Sequence, residues 1–332
     1  MKVLITRRLP GDYHKLVAKD YEVILWDKDE VVSREFLLDN IRDVDGVLCL
    51  LTDKIDKEVI DKAKKLKVIS NYAVGFDNID VEYATSKGIV VTNTPGVLTE
   101  TSADLVWALI LASRRHIVSA DKFLREGKFK GWDPNLFLGY DIYSKTLGII
   151  GLGRIGTAVA KRAKGFDMKV IYYNKSPKPE TEQYLLKEYN LKVEYRDLDS
   201  LLRGAYIVSI NTPLNKDTYH LITYEKLKLM KRTATIVNTA RGPVIKEDDL
   251  VRALKEGLIF SAGLDVFEFE PQVNKELLEL DNVVLLPHIG SASFETRQKM
   301  AEIAVNNLLL VLQNKEPLYS VNYHKLKNVV KE

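Results

Sequence analysis

At 332 residues the chain exceeds one ordinary compact core, so two domains are the default expectation. Hydrophobic content of 46% and charged content of 29% describe a globular protein. A net charge of only +3, with no basic block interleaved with aromatics, gives a nucleic-acid surface little support, and no apolar run is long and uncharged enough to span a membrane.

The first strand is predicted at 2–6 with no targeting segment ahead of it, which points to a cytoplasmic protein. Alternation follows: helices near 12–19, 33–41, 55–66 and 81–87, and strands at 21–26, 45–51, 68–74 and 89–93. Such alternation predicts an open parallel sheet wrapped by helices. The single cysteine, Cys49, lies in the apolar strand at 45–51, so an intrachain disulfide is impossible and core packing is its expected role. Residues 101–112 read as a helix apolar nearly all round, to be buried between domains, against a second subunit, or both, with a homodimer expected. A loop at 132–139 places Trp132, Phe137 and Leu138 around a proline; it reads equally as an interface or pocket lid and as a loop packed on its own domain.

The stretch from Thr146 to Lys178 carries the strongest signal. An apolar strand runs into Gly151-Leu-Gly-Arg-Ile-Gly156, small apolar residues follow at helical spacing, and a second apolar run ends at Tyr173. A G-x-G-x-x-G inside a βαβ unit is a dinucleotide fingerprint: Gly151 permits the turn, Gly153 lets backbone approach a pyrophosphate, and Gly156 lets helix pack on strand. Leu152, Gly153, Arg154, Ile155 and Gly156 are therefore cofactor-binding candidates. At the end of the second strand, where NAD sites usually carry an acid, stand Asn174, Lys175 and Ser176. An amide, an ammonium and a hydroxyl favour a 2′-phosphate, so NADPH is expected at least as well as NADH; the alternative is a solvated loop with Asn174 on the NAD ribose.

Further strands are predicted at 192–195, 206–212, 233–238, 260–265 and 282–286, read as completing a six-stranded doubly wound sheet. The long helix at 293–313 is expected to return to the first domain and make it discontinuous. The predicted domains are thus 1–99 with 288–332, flavodoxin-like and substrate-binding, and 100–287, which binds the dinucleotide. Both are α/β with parallel, Rossmann-like sheets.

Ligands sit beyond the carboxyl ends of such strands. The loops there hold Val74 and Gly75, Thr212 and Pro213, Thr239 to Gly242, Asp265 to Glu270, and His288 to Gly290. Reducing a small 2-keto acid needs a fixed cation for the carboxylate, a proton donor at the carbonyl and a dry nicotinamide pocket. Arg241 can fork onto the carboxylate, His288 can donate the proton, and Glu270 can accept the other imidazole N–H and keep the ring oriented and charged. Backbone N–H groups at Val74 and Gly75 can complete the carboxylate site. Thr212, Pro213, Thr239, Ala240, Arg241, Asp265, His288 and Gly290 join the cofactor set. No metal site is expected. His14, His116, His220 and His324 are read as structural.

These motifs resemble the D-isomer-specific 2-hydroxyacid dehydrogenases, and within them the archaeal glyoxylate and hydroxypyruvate reductases. The resemblance rests on Val74 to Asp80, Gly151 to Gly156, Val237 to Gly242, Leu264 to Pro271 and Leu286 to Ala292. It implies that Arg241 binds substrate, that Glu270 pairs with His288, that Asp265 touches the nicotinamide side, and that a dimer places Trp132 in the partner's active site. Glu270 and Val74 depart from the formate and phosphite dehydrogenases, and the short stretch after the last predicted helix departs from the longer phosphoglycerate dehydrogenases. D-lactate and shorter phosphoglycerate enzymes stay open as alternatives, as does a non-catalytic dinucleotide-sensing corepressor of the same fold. Glyoxylate is chosen by the resemblance alone.

Overall fold

The computed structural model describes residues 1–329. The chain forms two compact units, residues 1–98 with 292 onward, and residues 99–291.

The smaller unit is built on five parallel strands, β1 (Lys2–Ile5), β2 (Glu22–Leu25), β3 (Gly46–Cys49), β4 (Val68–Asn71) and β5 (Val90–Thr92), in the order β2-β1-β3-β4-β5. β3 and β4 are buried at every residue, so neither alternates apolar with polar side chains; the polar pair that ends β4, Ser70 and Asn71, is hydrogen-bonded where it is buried. The helix Phe294–Leu312 covers one sheet face, packing Met300, Ala304, Val305 and Leu308 against Val3, Ile5, Leu48 and Val68. A large apolar side chain buried in this way contributes about 1.5–3 kcal/mol. Ser70 donates to the carbonyl of Ala304 (2.7 Å), pinning the helix to β4. The unit is therefore assembled from both ends of the chain.

The larger unit has β6 (Thr146–Ile150), β7 (Lys169–Tyr173), β8 (Val193–Tyr195), β9 (Ile207–Ile210), β10 (Thr235–Asn238), β11 (Ser261–Leu264) and β12 (Val283–Leu285). All are parallel, in the order β12-β11-β10-β9-β6-β7-β8. This is a seven-stranded sheet: each of the seven strands predicted one by one is present, so the expected total of six undercounted them, and the three-residue β8 is a full member, in register with β7 from Val170 opposite Val193 to Tyr172 opposite Tyr195. The strand order reverses between β6 and β9, so the fingerprint turn leaves the sheet at its switch point, the place where open parallel sheets bind their ligands.

The apolar helix Thr99–Arg114 is buried by its own unit. Trp107 stacks on Phe166 (4.7 Å between rings, 5° between planes) and donates to the carbonyl of Val159, while Leu109 and Ile110 join the core with Val237 and Val284. At its end, the buried Arg114 donates to the carbonyls of Tyr206, Thr233 and Asp141, tying β9 and β10 to the loop before β6. A further helix, Ile117–Arg125, buries no residue and leaves Ile117, Val118 and Leu124 exposed.

The division between units falls after Ser291, so His288 to Gly290 belong to the larger unit, not to the substrate domain expected to begin again at 288. The cause is local. The loop leaving β12 is tied to its neighbours by Asp265 and by Ser102, whose hydroxyl donates to the carbonyl of Gly290 (3.1 Å).

Candidate active site

The fingerprint turn is shaped by exclusion of side chains. Gly151 has φ +97°, and a Cβ there would lie 2.8 Å from the backbone of Asn211. A Cβ on Gly156 would overlap the carbonyl oxygen of Gly151, whereas one on Gly153 would meet nothing within 4 Å. The three glycines thus divide as turn, open face and close packing. Gly153 is the N-cap of the helix Arg154–Ala163 and makes no side-chain cap bond. The first-turn N–H groups of a helix lack intrahelical acceptors, so Arg154, Ile155 and Gly156 present donors and a positive dipole end to an anion, and Arg154 stands exposed beside them. This cradle fits a dinucleotide pyrophosphate.

Leu152 is buried, and its N–H donates to Oδ1 of Asn174 (2.6 Å), so it braces the turn. Asn174, half-buried at the end of β7, thereby spends its oxygen on the turn and keeps its amide N–H pair for a ligand. Lys175 and Ser176 are exposed beyond it, and Lys175 pairs with Asp217 (2.8 Å) of the loop after β9. In the sheet β7 and β9 flank β6, so this ion pair joins the two loops on either side of the fingerprint turn. Thr212 and Pro213 open the β9 loop, and Thr218 closes it by donating to the carbonyl of Pro213 (2.7 Å).

Three adjacent strands, β10, β11 and β12, deliver the chemical groups. After β10, Asn238 accepts from the N–H of Ala240 (3.0 Å) and donates to the carbonyl of Arg241 (2.9 Å), fixing the turn Thr239 to Gly242. The Arg241 guanidinium donates to the carbonyl of Ala240 and is half-buried. After β11, Glu270 folds back so that Oε1 accepts from the N–H of Phe267 (3.0 Å) and Oε2 meets Nδ1 of His288 (2.8 Å). Burial alone would raise the Glu270 carboxyl; the His288 hydrogen bond and charge, the Phe267 N–H and the Arg241 charge outweigh it and hold the group below the usual carboxylate range. An ionised carboxylate only accepts, so Nδ1 carries the proton and Nε2 is the ring atom left to exchange one.

His288 sits at φ +54°, a left-handed conformation that costs a non-glycine residue on the order of 1–3 kcal/mol. Asp265 holds it there: Oδ1 accepts from Ile289 N–H (2.7 Å), Oδ2 from Gly290 N–H (2.8 Å), and the Asp265 carbonyl from His288 N–H (2.9 Å). Asp265 is fully buried with both oxygens engaged, so it orients the histidine loop. Gly290 is also buried, and its N–H and carbonyl are taken by Asp265 and Ser102.

Val74 and Gly75 follow β4 in the smaller unit, where Asn93 and Asn71 donate to their carbonyls (2.8 Å each). Trp132 is 85% exposed. One pair was missed by sequence reasoning: His220 Nε2 meets Oε1 of Glu268 at 2.6 Å. Its only sequence signal is that two glutamates, Glu268 and Glu270, stand two apart in one loop. Among the described residues no cluster of His, Cys, Asp and Glu is arranged to hold a metal, and no helix is long and apolar enough to cross a membrane.

Residues 107–290 match the family model of the D-isomer specific 2-hydroxyacid dehydrogenase NAD binding domain. The chain is 50% identical over 330 residues to a glyoxylate reductase of Pyrococcus horikoshii, covering 98% of this chain and 97% of that one. It is 51% identical over 325 residues to a glyoxylate reductase of Thermococcus litoralis, covering 97% and 96%. Its structure is similar to that of an NADPH-dependent glyoxylate/hydroxypyruvate reductase from Sinorhizobium meliloti solved with NADP and malonate, with a TM-score of 0.84, 31% identity and 96% of each chain covered.

Proposed function

From the premise that this chain belongs to the D-isomer-specific 2-hydroxyacid dehydrogenase family and is an NAD(P)-dependent oxidoreductase, we propose that it reduces glyoxylate, and next hydroxypyruvate, using NADPH in preference to NADH. The observation that carries the chemistry is the ionised Glu270 bonded to Nδ1 of His288, with Arg241 near enough for its charge to act on Glu270.

The bound dihydronicotinamide supplies the hydride. Arg154, Ile155 and Gly156 at the helix start, with Asn174 and Lys175, are the groups that would hold the dinucleotide. Arg241 binds the carboxylate of the keto acid through its planar fork, charge-assisted bonds worth about 1.5–3 kcal/mol each. His288 delivers a proton from Nε2 to the carbonyl oxygen as negative charge develops there, a role worth roughly 10²–10⁴ in rate. Nδ1 keeps its proton on Glu270 throughout, so the ring passes from cation to one defined neutral tautomer without turning. Asp265 and Ser102 keep the histidine loop in place during that exchange.

The NADPH preference rests on the amide, ammonium and hydroxyl at 174–176, where an acid would repel a 2′-phosphate. A homodimer is supported by the apolar surface on one stretch of chain: Ile117, Val118, Leu124, Phe129, Trp132, Leu138 and Tyr143 are each more than half exposed. The relatives named as glyoxylate reductases support the substrate.

The test is nicotinamide absorbance with glyoxylate, hydroxypyruvate, pyruvate and 3-phosphohydroxypyruvate, each with NADPH and NADH. Glyoxylate should have the highest kcat/KM, and NADPH should exceed NADH. Preference for pyruvate or the phosphorylated acid would replace the substrate, and cofactor binding without turnover of any keto acid would favour a dinucleotide sensor.

A further inference from the structure

Beside the Glu270–His288 pair the larger unit carries a second histidine–carboxylate pair that the mechanism above does not use. His220 Nε2 lies 2.6 Å from Oε1 of Glu268, whose side chain is only 7% exposed. His220 holds φ +50°, its ring stacks on Tyr219 (4.0 Å), and its N–H donates to the carbonyl of Pro243 (2.8 Å). The other Glu268 oxygen accepts from the N–H of Glu247 (2.9 Å), while the Glu247 carboxylate accepts from the N–H of Glu268 (2.9 Å) and of Asn274 (3.2 Å). Two glutamates thus cap each other's backbone across the start of the helix Glu247–Lys255.

That knot stands on both catalytic loops. Pro243, which accepts from His220, follows Gly242 and Arg241; Ile222 and Lys246 continue the link through Ile222 N–H to Val244 carbonyl and Lys246 N–H to Ile222 carbonyl. Glu268 lies between Phe267, whose N–H orients Glu270, and Glu270 itself. A Cβ on Gly242 would overlap the Phe267 carbonyl, so the Arg241 turn and the Glu270 loop are in backbone contact at that point. A carboxylate nearly out of water is costly unless its oxygens are satisfied, and here one oxygen depends on His220.

We propose that His220 and Glu268 are positioning residues for the catalytic centre: their hydrogen bond sets the register of the Arg241 turn against the loop that presents Glu270 to His288. Only Phe269 separates Glu268 from Glu270, so releasing Glu268 lets the Phe267–Glu270 turn open and the Glu270–His288 contact lengthen. Misplacement of about 1 Å at such a group is enough to cost a large part of the rate. The inference rests on the proposed roles of Arg241, Glu270 and His288, so its test has one arm that does not need turnover.

The full-length protein with NADPH is compared as wild type, His220→Ala, His220→Gln and Glu268→Gln. Glyoxylate kinetics give kcat and KM, and proton NMR follows the downfield ring N–H resonances of His220 and His288, assigned by their loss in His220→Ala and His288→Gln. His220→Ala should lower kcat about 10-fold with little change in KM, and should shift or broaden the His288 resonance as well as remove its own. His220→Gln, whose amide can still donate to Glu268, should recover most of kcat and the His288 signal. The inference fails if His220→Ala leaves kcat within about twofold and the His288 resonance in place, or if Tm falls while that resonance is unmoved. If the wild type turns over no glyoxylate, the proposed function fails and the resonance arm alone decides the positioning role.

Discussion

Removing the Asp265 carboxylate probes how the histidine is held. In Asp265→Ala the N–H groups of Ile289 and Gly290 lose acceptors at 2.7 and 2.8 Å in a site where Asp265 is fully buried. An orphaned buried donor costs about 1–3 kcal/mol, so the pair costs about 2–6 kcal/mol. For a unit of this size each kcal/mol moves Tm by about 2–4 °C, which places the expected drop at about 4 °C or more by differential scanning calorimetry. His288, freed from φ +54°, relaxes out of the left-handed region, and kcat falls with it. Asp265→Asn keeps one acceptor and should fall between. The pH dependence has a defined sign. Burial pushes the Asp265 carboxyl up, and the two N–H groups and the His288 charge only partly offset this. A folded-state value above the unfolded one means that the folded protein binds the proton more tightly, so this group's contribution to stability falls as pH rises from the ordinary carboxylate range through the raised value. Both variants should lack that fall. Unchanged Tm and kcat in Asp265→Ala would refute the claim that this carboxylate holds the loop.

Other expectations follow from single contacts. Gly156→Ala drives a Cβ into the Gly151 carbonyl, and fluorescence titration should show NADPH binding weakened at least about 10-fold; wild-type affinity would mean the helix is not seated on the turn. Asp217→Asn frees Lys175 from an exposed ion pair and should raise the NADPH-to-NADH ratio of kcat/KM modestly, about 2–5-fold, while Lys175→Ala lowers it. A ratio unmoved by both removes Lys175 from coenzyme choice. Placing charge on the exposed apolar stretch, as Val118→Asp with Leu138→Asp, should convert a dimer to a monomer by light scattering, and a monomeric wild type would refute the interface.

What the sequence made legible was what repeats locally. The fingerprint, its flanking strands and the return of the last helix follow from glycine spacing and apolar periodicity, and Arg241, Glu270 and His288 follow from their places just past strand ends. What local pattern does not show is pairing between partners distant in sequence. Leu152 and Asn174 meet 22 positions apart, and Asp265 and Gly290 meet 25 apart, so nothing nearby shows that those groups are spent on each other. His220 reads as an ordinary histidine because Glu268 lies 48 positions away. The helix Thr99–Arg114 is apolar because its own sheet buries it, a distinction composition cannot draw.

The central claim is that a carboxylate-oriented imidazole gives the proton while a neighbouring guanidinium binds the substrate anion. Steady-state kinetics of His288→Gln and Arg241→Ala, with NADPH affinity measured alongside, test it most directly. His288→Gln should lose roughly 10²–10⁴ in kcat with NADPH affinity retained, and Arg241→Ala should raise the KM for glyoxylate sharply as well as lower kcat. Near-normal kcat in His288→Gln, or an unchanged KM in Arg241→Ala, would contradict the account.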